Sequence, residues 1–460
     1  MHMKNMTVGN IAKACGGKLF GDEKNNFEAS CVVIDSRKMT MGGVFIATKG
    51  ERADGHDFIP QMGEMGALAV VCEREPVDCQ VPYILVQDSF QALKDIAEFY
   101  RSQLNIPVVG ITGSVGKTST KEMIASVLSE GFCVLKTEGN FNNEVGLPLT
   151  VLQIRPEHQA AVLEMGISDF GEMHRLSRIG KPDMCVITNI GQCHLENLGT
   201  REGILKAKAE IFDFMNPDGY VFVNGDDDML VRVKAAGDHE VVRFGLEIGN
   251  QVFASNVMNK GLFGSEAVIH VGLEVFPVEI PLPGGHMVYN ALAAAAVGKC
   301  MGLSKEQIKA GISKVQAVGG RSNVIGLSSY TVIDDCYNAN PVSMKAAIDL
   351  LSMALGRKVA ILGDMFELGE REKEMHGEVG RYAAGKGIDI LVCVGRLSRC
   401  MYECALKEKK KKAYYFQTKE ELLENLEKIL RRGDNILVKA SHGMKFEQVV
   451  EFLKADDGNK

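Results

Sequence analysis

The sequence predicts an α/β protein built as three domains, and three observations carry that prediction. At roughly 150 residues per domain, 460 residues supply about three cores. Short apolar runs at 67–72, Val108–Thr112, Ala160–Glu164, 184–190 and 359–362 alternate with longer amphipathic stretches, the rhythm of largely parallel sheets. A composition of 46% hydrophobic and 24% charged residues, with 49 Gly and 12 Pro, excludes a disordered or collagenous chain.

Charge and cysteine usage narrow the function classes. The 52 basic and 59 acidic residues sum to -7, so no general attraction to nucleic acid or an anionic membrane is expected. Twelve cysteines are scattered without a CxxC pair, which fits a reducing cytosol. The start MHMKNMTVGNIAKACGG has no continuous apolar segment, and no later run approaches a membrane helix. A cytoplasmic, non-inserted protein working as a monomer is expected. The lysine-rich run 407–412 reads as a solvated face.

Domain limits follow from breaks between elements. A helix over 90–103 gives way to Pro107 and a strand, which places a boundary near 102–107. A helix over 304–315 is followed by Val-Gly-Gly-Arg, which places another near 317–321. The expected domains are residues 1–103, 104–317 and 318–460.

The segment 106–131 is an apolar strand, a Gly-rich turn and an amphipathic helix. Each part suits phosphate. Gly113 and Gly116 allow backbone N–H groups to approach phosphate oxygens, with Ser114 and Val115 between them and Ser119 just beyond. Lys117 can reach the terminal phosphates, and Thr118 can ligate Mg²⁺. Ile111 stands where the common GxxxxGK[ST] pattern has its first Gly, leaving TGxxGKT. A mere tight turn would not require Gly-Lys-Thr, so a nucleoside triphosphate site is expected.

Two further strand ends carry metal chemistry: Glu164 closes one strand, and His194 lies just past another. Parallel sheets gather ligands at that edge. Alone, either residue reads as a surface or loop residue. A helix over 202–214 has Glu202, Lys206 and Glu210 as a charged stripe of i, i+4 pairs, while Ile204, Leu205, Ile211 and Phe212 define the opposite face. Lys208 falls in the middle of the apolar face. It either snorkels its stem along that face or is neutralised or modified inside a site, for example as an N-carboxylated metal ligand.

Taken together, TGSVGKT, EMG, CHLENLG and the AKAE helix resemble the Mur ligases, ATP-dependent amide-forming enzymes of peptidoglycan precursor synthesis. The resemblance runs through IDSRKMTMGGVFIATKGERADGHDF, TEGNFNNEVGLPLTVL, LPGGHMVYNALAAAAVG, DDCYNANPVSM, GDMFELG and VKASHGMKFEQVV, and so covers essentially the full length. GNFNNEVGLP, DDCYNANP and GDMFELG look like the member that joins D-Ala-D-Ala to UDP-MurNAc-tripeptide, and the DNPR motif of the diamino-acid-adding relative is not present.

The resemblance implies an N-terminal uridine-nucleotide-binding domain, a central P-loop ATPase-like domain and a C-terminal Rossmann-like domain. It implies that Lys208 is carbamylated and holds Mg²⁺ with Glu164 and His194. It assigns Asn290, Arg321 and Asp335 to the base, phosphate and ribose of ATP, Ser36 and Arg37 to the uridine nucleotide, and Asn140, Asn142 and Asn143 to the reacting peptide. Turn chemistry is the alternative for these Asn positions. Two residues depart from the family pattern: Met287 replaces an Asn in GxHNxxNALAA, and His442 stands where Arg is frequent. A folylpolyglutamate-type ligase would share the P-loop but not need the N-terminal segment. A nucleotide switch would need the central domain alone.

Overall fold

The computed structural model describes residues 2–21, 26–51, 53–233, 239–408 and 412–458, arranged around three sheets. The first has five strands in the order Lys18–Phe20, Tyr83–Leu85, Ala69–Cys72, Val44–Ile46, Val32–Val33, with only the first antiparallel to its neighbour. The second has nine strands, seven of them parallel from Val134–Lys136 through Ala160–Glu164, Val108–Thr112, Met184–Ile187, Tyr220–Asn224 and Glu240–Gly245 to Val252–Asn259. Two antiparallel strands, Ser265–Val271 and Glu274–Ile280, extend it. The third has six strands, parallel except for Asn323–Gly326 at one edge.

Apolar runs became interior strands because both of their faces are covered. Every residue of Val108–Thr112, Ala160–Glu164 and Met184–Ile187 is buried, as expected where helices pack on both sides of a parallel sheet. The helix His286–Cys300 is built on an Ala-rich run, and its small side chains let it pack closely beside the P-loop helix Lys117–Leu128 in one apolar core. That P-loop helix is buried on most of its surface and is not amphipathic as its sequence suggested.

The N-terminal sheet is fastened to the P-loop unit by the helix Ser89–Ser102. Its N-cap is Asp88, and its Leu93, Ile96, Ala97 and Tyr100 enter an apolar core shared with Leu147, Val151 and Leu176. Each buried Leu, Ile or Val side chain among these contributes roughly 1.5–3 kcal/mol. The Tyr100 hydroxyl donates to the Ile154 carbonyl at 2.6 Å, and Arg101 Nε donates to that of Gly180 at 2.8 Å.

Two expectations need correction. The helix 202–214 is an α-helix only over Arg201–Ala209 and tightens into a 3-10 turn at Glu210–Phe212. No ion pair joins Glu202, Lys206 and Glu210; Glu210 instead accepts from the N–H groups of Gly171 and His174, stabilising the start of the helix Glu172–Gly180. Of the run 407–412, residues 409–411 lie outside the described residues, while Lys407 and Lys412 are exposed. Among the described residues no helix is long and apolar enough to cross a membrane.

Candidate active site

Val108–Thr112 lies between Ala160–Glu164 and Met184–Ile187, and the chain leaves it first to one side and then to the other. This switch of direction opens a crevice at the carboxyl ends of the strands, where parallel sheets hold ligands. The six-stranded unit roofs the crevice to give a cleft of about 450 Å³. The central unit contributes Ser114, Val115, Gly116, Lys117, Ser119, Asn142, Asn143, Glu164 and His194 to its lining, and the opposite wall contributes Arg321 and Asp335.

The loop conformation demands glycine at two points. Gly116 caps the P-loop helix at φ 84°, and a Cβ on Gly113, at φ 149°, would lie 2.0 Å from Thr188 Oγ1. A residue with no distinctive sequence signal holds the loop in place. Asn189 Oδ1 accepts from Val115 N–H at 3.0 Å, its Nδ2 donates to the Val115 carbonyl at 2.8 Å, and its own carbonyl accepts from Ser114 N–H. The Ser114 and Val115 amides are thus occupied within the fold. Lys117 Nζ donates to the Gly113 carbonyl at 2.8 Å.

Glu164, 1% exposed, pairs in register with Ile111 and so stands beside the loop. Its Oε2 accepts from the Thr118 hydroxyl at 2.7 Å and its Oε1 from Asn142 Nδ2 at 2.8 Å. Lys208 is 0% exposed, and its Nζ has no hydrogen-bond partner. Desolvation lowers its pKa to about 8, the nearby charge of Lys117 adding in the same direction. His194, at φ 50°, puts Nδ1 2.8 Å from Oε2 of Glu367 on the six-stranded unit, and that hydrogen bond holds the Glu367 carboxyl below its usual range.

On the opposite wall, Asp335 Oδ1 accepts from Ser322 N–H at 2.8 Å, and Lys439 Nζ lies 2.7 Å from its Oδ2. The Arg321 guanidinium stacks 3.9 Å over the Tyr337 ring, whose other neighbour is the His442 ring at 5.4 Å. Tyr337 and Lys439 lie inside DDCYNANPVSM and VKASHGMKFEQVV, yet spacing gave neither a role and Asn189 carried no signal; the sheets bring all three to the site.

Asn290, Asn140, Ser36 and Arg37 lie off the cleft lining, whereas Asn143 is on it. Asn290 is buried under the P-loop helix, accepting from the Thr120 hydroxyl at 2.9 Å and donating to Met287 Sδ at 3.3 Å. Asn140 is exposed, and Asn143 Oδ1 accepts from Gly146 N–H at the start of the helix Gly146–Val151. Ser36 and Arg37 form a 3-10 turn on the N-terminal unit, with the Arg37 side chain 87% exposed and paired to Asp35.

Three family descriptions match the chain: Mur ligase family, catalytic domain, over residues 28–101; Mur ligase middle domain over 111–298; and Mur ligase, glutamate ligase domain, over 320–442. The chain belongs to the Mur ligase family. A UDP-N-acetylmuramoyl-tripeptide--D-alanyl-D-alanine ligase of Bacillus subtilis is 39% identical to this Mur ligase across 98% of the chain and 99% of the relative. A MurF crystal structure from Acinetobacter baumannii superposes with a TM-score of 0.90 at 34% identity, covering 99% of this chain and 100% of that one. A MurF ligase from Thermotoga maritima in complex with ADP gives 0.82 at 31% identity, covering 93% and 98%. The three-domain α/β expectation for this Mur ligase is therefore borne out.

Proposed function

We propose that this protein is an ATP-dependent ligase that joins D-alanyl-D-alanine to UDP-N-acetylmuramoyl-tripeptide in peptidoglycan precursor synthesis. The observation that carries the reading is a single cleft with the P-loop lysine on one wall and Arg321 and Asp335 on the other, in a chain matched end to end by relatives named for that reaction. Residues 1–103, 104–317 and 318–460 are its three working units, a division supported by three family matches that each fall inside one unit.

In this reading Lys117 and the first helical turn hold the ATP phosphates. Arg321, Asp335 and Asn290 serve the rest of the nucleotide, with Asn290 acting through the P-loop helix it supports. Asn142 and Asn143 stand near the peptide carboxylate, Asn140 further out, and Ser36 and Arg37 at the uridine end. The tripeptide carboxylate attacks the γ-phosphorus, and ADP leaves. The dipeptide amine then attacks the acyl carbon and loses a proton as phosphate departs. Lys117 meets charge that grows during the first step, so its contact strengthens toward the transition state. Closure around the acyl phosphate excludes water that would hydrolyse it.

The residues present fit a divalent cation. Among the described residues no three His, Cys, Asp or Glu side chains cluster as a metal site, and of Thr118, Glu164 and His194 only Glu164 brings a negative charge, so a second anionic donor is wanted. Lys208, buried with an orphaned amine of lowered pKa, can supply it as a carbamate: the neutral amine attacks CO₂, a C–N bond forms and a proton leaves. Thr118, Glu164, His194 and a carbamylated Lys208 would hold Mg²⁺, which when bound would supply positive charge against the phosphates. A reaction that consumes ATP and a nucleotide-linked substrate fits the cytoplasm, where both are made.

Phosphate release measured with UDP-MurNAc-tripeptide, with and without D-Ala-D-Ala, tests the proposal. Release that depends on the dipeptide and yields the ligated product is expected. ATP hydrolysis indifferent to the amine would instead favour a nucleotide switch.

A further inference from the structure

The two junctions of the P-loop unit differ in kind. Toward the N-terminal unit it shares an apolar core and the ion pairs Arg101–Asp183, Lys94–Glu144 and Arg178–Glu98. Toward the six-stranded unit, one ion pair crosses among the described residues, His194 to Glu367. Around it the contact is slight. Leu195 packs on the edge of the six-stranded unit's core, and a Cβ on Gly369 would come within 3.9 Å of Glu196 Cα.

Both partners of this pair occupy the left-handed region, His194 at φ 50° and Glu367 at φ 60°. Two facing non-glycine residues in that region are uncommon, and such strain persists only where surrounding structure imposes it. The imposing contacts around Glu367 are visible. Met365 N–H donates to His376 Nε2 at 2.9 Å, and Phe366 N–H donates to Ser441 Oγ at 2.9 Å. Asp364 Oδ1 accepts from both the N–H and the hydroxyl of Ser398 at 2.7 Å. Glu367 is therefore presented from a stiff loop although its side chain is 61% exposed. An exposed ion pair contributes little stability, so this construction is better explained by what it does to the histidine.

We propose that Glu367 is a positioning residue that ties seating of the six-stranded unit on the P-loop unit to the orientation of His194. With its carboxylate 2.8 Å from Nδ1, it favours a proton on that nitrogen and so the tautomer whose lone pair sits on Nε2, the nitrogen then available to a ligand in the cleft. A metal-binding histidine held by a carboxylate on its other nitrogen is a recurrent arrangement. Here the carboxylate comes from a different domain, so the histidine is correctly held only when the domains meet. The inference rests on the proposed cation site but not on which peptide is ligated.

The test uses the full chain with Mn²⁺ as probe and a non-hydrolysable ATP analogue. Glu367→Ala should weaken Mn²⁺ binding about tenfold or more and shift the solution scattering of the analogue complex toward a larger radius of gyration. Glu367→Asp should recover part of the affinity, and melting temperatures should match wild type because the side chain is exposed. In a His194→Ala background, Glu367→Ala should have no further effect on Mn²⁺ affinity. Unchanged Mn²⁺ affinity and scattering in Glu367→Ala, or equal losses in both backgrounds, would overturn the proposal. Failure of dipeptide-dependent phosphate release in wild type would remove the ligase reading while leaving this Mn²⁺ measurement decisive for Glu367.

Discussion

Two lysines of the same unit are hidden from solvent, and the helices carrying them treat them in opposite ways. Lys121 on the P-loop helix, 1% exposed, donates to the Thr137 carbonyl and lies 3.0 Å from Glu122. Lys208 on Arg201–Ala209, 0% exposed, has no partner. A buried ammonium is tolerated when hydrogen-bonded and paired, and costly otherwise. Lys121 thus meets the ordinary requirement of a structural buried charge. Lys208 violates it beside the P-loop, where it also feels the charge of Lys117. An unsatisfied buried group of this kind beside the P-loop is a candidate for chemistry, whereas its satisfied neighbour meets a structural requirement.

The largest expected effect comes from Lys208→Ala, which should abolish ligation, with acetate or propionate in excess partly restoring it by standing in for the lost carboxylate. Full activity in that variant would erase the distinction between the two lysines. Lys117→Ala should lower the ligation rate about 100- to 1,000-fold with little change in melting temperature, since its amine contacts only a loop carbonyl. Equal losses of activity and stability would mean that Lys117 is structural, as Lys121 is.

A pH series sharpens the contrast. Burial holds unmodified Lys208 at about 8, against 10.5 for an unperturbed lysine. Between those values the unfolded chain binds more protons than the folded one, so this lysine's contribution to stability rises with pH across the window. Below it both states are protonated and the cost of the buried charge is constant. The interval corresponds to about 3 kcal/mol. In CO₂-free, chelated buffer, denaturant unfolding should therefore show wild type gaining on Lys208→Met between about pH 8 and 10.5; parallel curves would count against a buried, unmodified amine. The smallest effect belongs to Lys121→Met, which should cost about 1–3 kcal/mol of stability by leaving the Thr137 carbonyl unsatisfied. An intact melting transition in that variant would show that Lys121 is no more structural than a surface lysine.

Much of the frame was legible in the chain itself. Val108–Thr112 and Ala160–Glu164 form strands with the bounds their apolar runs suggested, and Lys208 proved buried because helical periodicity fixes which residues share a face. The same periodicity misjudged Glu210, because a carboxylate near a neighbouring helix start found N–H donors there instead of Lys206. The strands at 265–280 were missed because their antiparallel pairing is a relation between segments, not a property of one run.

The sequence by itself determined the phosphate loop, the parallel-sheet rhythm and the place of one anomalous lysine on an apolar helix face, since each depends on spacing within a dozen or so residues. Only the tertiary structure decided that Asn189 occupies two loop amides, that Lys439 backs Asp335, and that Glu367 reaches His194 from another unit. Those partners lie 74 to 173 residues apart along the chain. Hydrogen bonds act over a few ångströms and leave no periodic trace in either segment, so they become visible only once the sheets have folded and met.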